Sequence, residues 1–272
     1  MSYVSSDSVG VKKKVRVPDI RSRKGGKKIT CLTCYDASFA RILEQTSIDL
    51  VLVGDSLGNV IQGASSTTCV TVDDVAYHTR CVAAALRHPL LVSDMPFGTA
   101  GFSFEVAFSS AQKLIRAGAE AVKIEGATPE ICTQISHLVR HGIPVLGHIG
   151  LLPQSVHMVG GYRVQGRGVG DCDRLISEAR ALRDAGCFGI VVELVPSDVA
   201  KSLSHSIDIP VIGIGAGCGC DGQILVLNDM LGMNLSFSPK YLKHFSLVEK
   251  IVREAIERYC YETCEGVFPS ED

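Results

Sequence analysis

AEAVKIEGATPEICTQISHLVRHGIPVLGHIG, residues 119–150, holds one complete repeat of the fold. The short apolar run Ala121–Ile124 is followed by a helical pattern over Pro129–His141, with Thr128 as its N-cap and proline at its first position. A second apolar run, Pro144–His148, comes next. Neither run alternates polar with apolar, the pattern of strands buried on both faces. A strand, a helix and a second strand at this spacing predict a parallel sheet.

Working outward, the same rhythm recurs. Further apolar runs lie at Ile29–Thr33, Leu50–Val53, Pro89–Ser93, Gly189–Glu193 and Pro210–Ile214, with a weaker eighth at Ile224–Leu227. Helical patterns fall between them at Val72–Arg87, Phe104–Ala117 and Asp173–Ala185, the last ending before Gly186 as a helix C-terminus should. Leu247–Cys260 predicts a closing helix. Eight such units in a chain of 272 residues predict a closed (β/α)₈ barrel in preference to a doubly wound sheet. The expected organisation is a basic arm over residues 1–28 and one catalytic barrel domain over 29–272. The arm carries nine Lys and Arg. It is compatible with a targeting segment, but Val15, Val17 and Ile20 favour an arm packed onto the barrel.

Composition limits the functions. Hydrophobic residues make up 46% of the chain, charged residues 21%, and the net charge is −2. That balance gives no footprint for nucleic acid. No apolar run is long enough to cross a bilayer and no signal peptide is apparent. The eleven cysteines are odd in number and scattered, as in a reduced, cytoplasmic protein, or an organellar one in a eukaryote. Cys31 and Cys34 form a CxxC inside an apolar run with no second pair to complete a zinc site, so small buried or loop residues are the expected reading for the cysteines.

Chemistry is expected where the strands of such a barrel end. Asp55 and Ser56 follow the second run, and Asp94 follows the third. Lys123 and Glu125 end the fourth, His148 the fifth and Glu193 the sixth. Five consecutive strands thus deliver ionisable groups to one rim, an arrangement that costs desolvation and repulsion without structural return. Hard oxygen donors suit Mg²⁺, or Mn²⁺, over zinc. A 2-oxo acid can chelate such an ion, which then stabilises its enolate. Lys123 can face the substrate carboxylate, and Glu193, flanked by apolar residues, is a candidate general base. The alternative for Glu193 is a rim ion pair. His148 is either substrate-orienting or a hydrogen-bonded mouth residue. His137 and His141 lack the context of a metal motif and are expected to be exposed. Gly213–Gly217 fails the dinucleotide spacing, leaving a tight loop of the kind that binds phosphate in many barrels. Gly160–Arg167 reads as a lid or an interface loop.

At these residues the chain resembles the ketopantoate hydroxymethyltransferase (3-methyl-2-oxobutanoate hydroxymethyltransferase) family. The matching segments are Thr33–Asp36, Leu52–Gly58, Asp94–Phe97, Val122–Gly126, Gly147–Val156, Gly160–Arg167, the Glu193 strand, Gly213–Gly217 and Asp221–Gln223, in order, from about Val15 almost to the C-terminus. Ser110, Ala127 and Leu152 depart from the family pattern, and none is a ligand or the base. The resemblance implies a barrel of the phosphoenolpyruvate/pyruvate type. It implies hydroxymethyl transfer from 5,10-methylenetetrahydrofolate to 3-methyl-2-oxobutanoate, giving 2-dehydropantoate on the route to pantothenate and coenzyme A. It further implies Mg²⁺ on Asp55 and Asp94, with Glu125 supporting it through water. Ser56 and Lys123 would contact the oxo acid, Glu193 would remove the proton, and the assembly would be a large homo-oligomer, commonly a decamer. A Mg²⁺-dependent C–C lyase acting on 2-oxo acids is the alternative, although the KKCGH-like segment of the isocitrate-lyase kind is absent. A catalytically inactive barrel would not need all the rim acids that are present.

Overall fold

A computed structural model describes residues 12–161, 163–168, 170–235 and 239–270. The first eleven residues of the basic arm and Tyr162 of the Gly160–Arg167 loop lie outside the described residues. The strands are β1 (Ile29–Thr33), β2 (Leu50–Val53), β3 (Leu90–Asp94), β4 (Ala121–Glu125), β5 (Val145–Gly150), β6 (Gly189–Glu193), β7 (Val211–Ile214) and β8 (Gly222–Leu225). They close into a barrel in chain order, parallel at every pair from β1–β2 to β7–β8. This is the expected (β/α)₈ architecture. The residues fall into two compact units, 1–224 and 225–272.

The strands form where β-branched and aliphatic residues are covered on both sides. β2, β3 and β4 are buried at every position. One hydrophobic cluster joins Ile29 and Cys31 of β1, Leu50 and Leu52 of β2, Leu90 and Val92 of β3, Ala121, Leu146, Val191, Ile212 and Ile224. These residues step by two along their strands, so they share the inward face. Each fully buried Leu or Ile contributes roughly 1.5–3 kcal/mol relative to exposure. Val15 and Ile20 of the basic arm join the same cluster, and Val17 packs against it. The arm therefore covers the end of the barrel where the strands begin.

Four of the helices start on polar caps that satisfy otherwise orphaned N–H groups. Asp36 accepts from Ser38 and Phe39 at the head of Ala37–Glu44. Thr71 and Asp74 form a reciprocal capping box on Val72–Ala83. Ser103 caps Phe104–Arg116, and Thr128 caps Pro129–Arg140 as expected. The helix from Val72 stops at Ala83, short of the expected Arg87, because the Arg87 guanidinium donates to the carbonyls of Ala83, Ala84 and Leu86. His137 and His141 are exposed, and their rings lie against Phe104 and Phe108. In the second unit, short helix Leu227–Met230 precedes Val248–Cys264, the helix expected at Leu247–Cys260.

Two departures have physical reasons. β8 runs over Gly222–Leu225, not Ile224–Leu227, because Gly222 contributes no hydropathy yet is required. A Cβ on Gly222 would come within 2.5 Å of the Ile29 carbonyl oxygen. The cysteines are also more varied than expected. Cys31, Cys34, Cys187 and Cys220 are buried, whereas Cys260 and Cys264 lie exposed on a helix. Burial pushes the Cys34 thiol up to about 11, outweighing a hydrogen bond to Asp36, so it is a poor nucleophile.

Acids at the strand beginnings are fully partnered. Asp221 accepts from the backbone N–H of Gly25 and Val211, from Ser204 Oγ and from Lys24 Nζ at 2.8 Å. Burial alone would raise its pKa, but Lys24 and these backbone donors hold it below 3.8. Asp221→Ala should cost on the order of 3 kcal/mol in urea denaturation at neutral pH. Because the folded carboxyl is the stronger acid, its stabilisation is complete above the unfolded value of 3.8 and is lost as pH falls through the folded value. The gap between wild type and variant should therefore close in acid. A gap that is absent at pH 7 would remove Asp221 from the supports of the barrel floor.

Candidate active site

The inward face continues two residues past the cluster and becomes polar. Val92 is followed on its face by Asp94, Ala121 by Lys123 and Glu125, Leu146 by His148, and Val191 by Glu193. Asp55 follows β2, held by its backbone N–H donating to Asp94 Oδ2 at 3.0 Å. Asp55, Asp94, Lys123, Glu125 and His148 are all buried. The Glu193 side chain is 14% exposed, which leaves it facing an accessible space.

The expected residues are brought together as a continuous chain of contacts. Asp94 Oδ1 lies 2.6 Å from Lys123 Nζ, which lies 3.5 Å from Glu125 Oε1. Glu125 Oε1 is 3.3 Å from His148 Nδ1, and His148 Nε2 is 3.4 Å from Glu193 Oε2. His148 Nδ1 also lies 3.3 Å from Lys123 Nζ. Ser56 joins from the side, its Oγ 2.8 Å from the Tyr35 hydroxyl. Lys123 thus spans two acids directly, a bridging position that the sequence reading, with Lys123 facing substrate, did not include.

The electrostatics are lopsided. Four carboxylates face one ammonium and one imidazole. Burial, then the charges of Asp94 and Glu125, push the Asp55 carboxyl well above its ordinary range. Burial opposes the charge on Lys123, but Asp94, Glu125 and Asp55 outweigh it and keep the ammonium protonated. Burial and Lys123 disfavour the imidazolium of His148, whereas Glu125 and Glu193 favour it and bring the group up to about 9. Asp94 Oδ1, Glu125 Oε1 and His148 Nε2 are buried without a well-aligned hydrogen bond among the described residues. Their contacts are ion pairs with one another, and native interiors rarely gather buried charge so densely without a functional reason.

These observations fit a hard divalent cation. The donors are carboxylate oxygens, the local charge is negative, and buried oxygens are left under-satisfied. No three His, Cys, Asp or Glu side chains among the described residues are gathered tightly enough to enclose an ion by themselves. Mg²⁺ needs no such cage, since it binds through one or two carboxylates and completes its shell with water and substrate oxygens.

Backbone geometry fixes Glu193. Leu151 N–H donates to the Glu193 carbonyl, and Leu194 N–H to Ile214. Leu194 has φ +48, the only non-glycine residue in the left-handed region among those described, a conformation that stores strain next to Glu193. The Gly213–Gly217 loop is explained by packing, since a Cβ on Gly217 would come within 2.4 Å of Ser197 Cβ. Two polar residues escaped the sequence reading as site members, Tyr35 and Gln154. Gln154 Nε2 donates to Asp55 Oδ2 at 2.9 Å and to the Met95 carbonyl at 3.1 Å. It lies in the segment Gly147–Val156 that carries the family resemblance, four residues after the glycine that ends β5.

That glycine, Gly150, has φ +92, and a Cβ there would lie 2.3 Å from the Glu193 carbonyl oxygen. Gly150→Ala must separate β5 from β6 at Glu193. Overpacking and strain together should cost on the order of 3 kcal/mol, seen as a lower melting temperature. An unchanged melting temperature would show that the contact is relieved elsewhere.

Comparison with known proteins places the chain among relatives. The family model described as ketopantoate hydroxymethyltransferase matches residues 14–271. A 3-methyl-2-oxobutanoate hydroxymethyltransferase of Leptospira interrogans is 47% identical over 251 residues, covering 92% of this chain and 95% of that protein. One from Burkholderia ambifaria is 45% identical over 273 residues, covering 100% and 99%. A crystal structure of 2,3-dimethylmalate lyase, a PEP mutase/isocitrate lyase superfamily member, is 14% identical with a TM-score of 0.59, covering 95% of this chain and 88% of that one, a likeness of fold. With a match of this extent and rim acids that meet at one mouth, the chain belongs to the ketopantoate hydroxymethyltransferase family.

Proposed function

We propose that this enzyme transfers a hydroxymethyl group from 5,10-methylenetetrahydrofolate to 3-methyl-2-oxobutanoate, forming 2-dehydropantoate for pantothenate synthesis. The observation that carries the reading is the unbroken path of contacts from Asp55 to Glu193 across five strands. Residues 29–272 serve as its catalytic domain behind the basic arm. The working form is a cytoplasmic homo-oligomer, a decamer by family likeness.

Asp55 and Asp94 would hold Mg²⁺, or Mn²⁺ in its place, with Glu125 supporting it through water. When bound, the ion supplies Lewis-acid polarisation of the keto oxygen and so acidifies the neighbouring carbon. Lys123 pairs with Asp94 and Glu125 and presents positive charge towards the substrate carboxylate. Ser56, fixed by Tyr35, donates to the oxo acid. Glu193 removes the proton from the branched carbon. His148 holds Glu193 on one side and Glu125 on the other, so base and metal support keep a fixed separation. The C–H electron pair becomes the new C–C bond to the one-carbon unit, whose two C–N bonds to the folate break. Water supplies the hydroxyl, and the proton taken by Glu193 and the remaining water proton go to the two nitrogens of the departing tetrahydrofolate.

Glu193→Gln should abolish exchange of the C3 proton of 3-methyl-2-oxobutanoate in heavy water while metal binding persists. Loss of a general base typically costs about 10²–10⁴-fold, and retained exchange would remove Glu193 from that role. Asp94→Asn should sharply raise the Mg²⁺ concentration required for turnover. Unchanged metal dependence would place the ion elsewhere.

A further inference from the structure

Gln154 stands where the loop after β5 meets the acids of β2 and β4. Its side-chain amide donates to Asp55 Oδ2 at 2.9 Å and to the Met95 carbonyl at 3.1 Å. Its own backbone N–H donates to Glu125 Oε2 at 3.2 Å. Both side-chain partners are acceptors only, so the amide nitrogen, not the oxygen, must face them. One partly buried residue therefore ties together two of the three acids assigned to the metal and the backbone immediately after the third, Asp94. It begins no strand or long helix, lying within the short turn Pro153–Ser155, so its three hydrogen bonds are its tertiary anchorage.

The charge of the donor matters. Asp55 is buried, with its backbone N–H on Asp94 Oδ2. A hydrogen bond from a neutral amide occupies Asp55 Oδ2 and fixes which oxygen remains free. It does so without adding positive charge, whereas a Lys or Arg at the same place would cancel the attraction for a cation. Partners that orient ligating carboxylates in this way act on metal affinity without touching the ion.

We propose that Gln154 is a positioning residue that sets the Asp55 and Glu125 carboxylates for divalent-metal binding and couples the loop after β5 to that site. The proposal rests on the metal reading given above. Gln154→Met keeps the length of the side chain and removes its amide donors, and Gln154→Ala removes amide and bulk, while the backbone N–H bond to Glu125 is retained in both. Mn²⁺ binding is read directly from the electron paramagnetic resonance signal of the free ion, with wild type and both variants compared after folding is checked by circular dichroism. Both variants should bind Mn²⁺ roughly 10–100-fold more weakly. Their loss of kcat/KM should be recovered when the metal is raised to saturation. Mn²⁺ affinity equal to wild type in the Met variant would overturn the proposal. So would weakened binding whose activity no excess of metal restores, since that marks a general structural defect. Absence of Mn²⁺ binding by the wild-type protein would instead overturn the metal reading on which the proposal stands.

Discussion

Everything at the mouth of this barrel depends on strand parity. Side chains of a β-strand alternate between two faces, so the face of one residue fixes the face of the residue two positions on. Val92, Ala121, Leu146 and Val191 share one hydrophobic cluster inside the barrel. Asp94, Lys123, His148 and Glu193 stand two places further along the same strands. The packing that excludes water below thus delivers four ionisable groups above, and a register slip of one residue would send them all to the helix layer. Glu125 follows Lys123 by the same step.

The two ends of the barrel treat carboxylates differently. At the end where strands begin, Asp221 accepts four hydrogen bonds and Asp49 is paired with Arg23 at 2.6 Å and bonded by Thr30. Those acids are structural, and their pKa values are lowered accordingly. At the other end the acids outnumber their cations, and Asp55 is pushed up by burial and then by its acidic neighbours. Lys123 is the pivot of that end. Removing it would leave Asp94 and Glu125 buried and facing each other, a cost that unpaired buried charge makes large. The imbalance is tolerable in a folded protein because it is confined to one mouth on a well-packed core, where binding energy can offset it.

Much of this was legible in the residues. Unbroken runs such as Leu50–Val53 signalled strands buried on both faces, and Thr128-Pro129 marked a helix start where the structure has one. Asp94, Lys123, Glu125, His148 and Glu193 were visible because charged groups ending apolar strands need a reason to be there. The rest hid for physical causes. Gly222 is silent on any hydropathy scale, so β8 was displaced by two residues. Gln154 and Tyr35 act through hydrogen bonds to residues far away in sequence, about which local pattern says nothing. The position of Lys123 between two acids is a three-dimensional fact, since sequence shows its strand but not the reach of Asp94 across to it.

The most direct measurement is the anomalous scattering of Mn²⁺ in crystals of the protein soaked with 3-methyl-2-oxobutanoate. A single peak within bonding distance of Asp55 and Asp94 is expected, with the oxo acid beside it and its branched carbon facing Glu193. Ordered Mn²⁺ bound away from both aspartates, or an oxo acid turned so that Glu193 cannot reach that carbon, would contradict the convergence of these acids on one bound molecule.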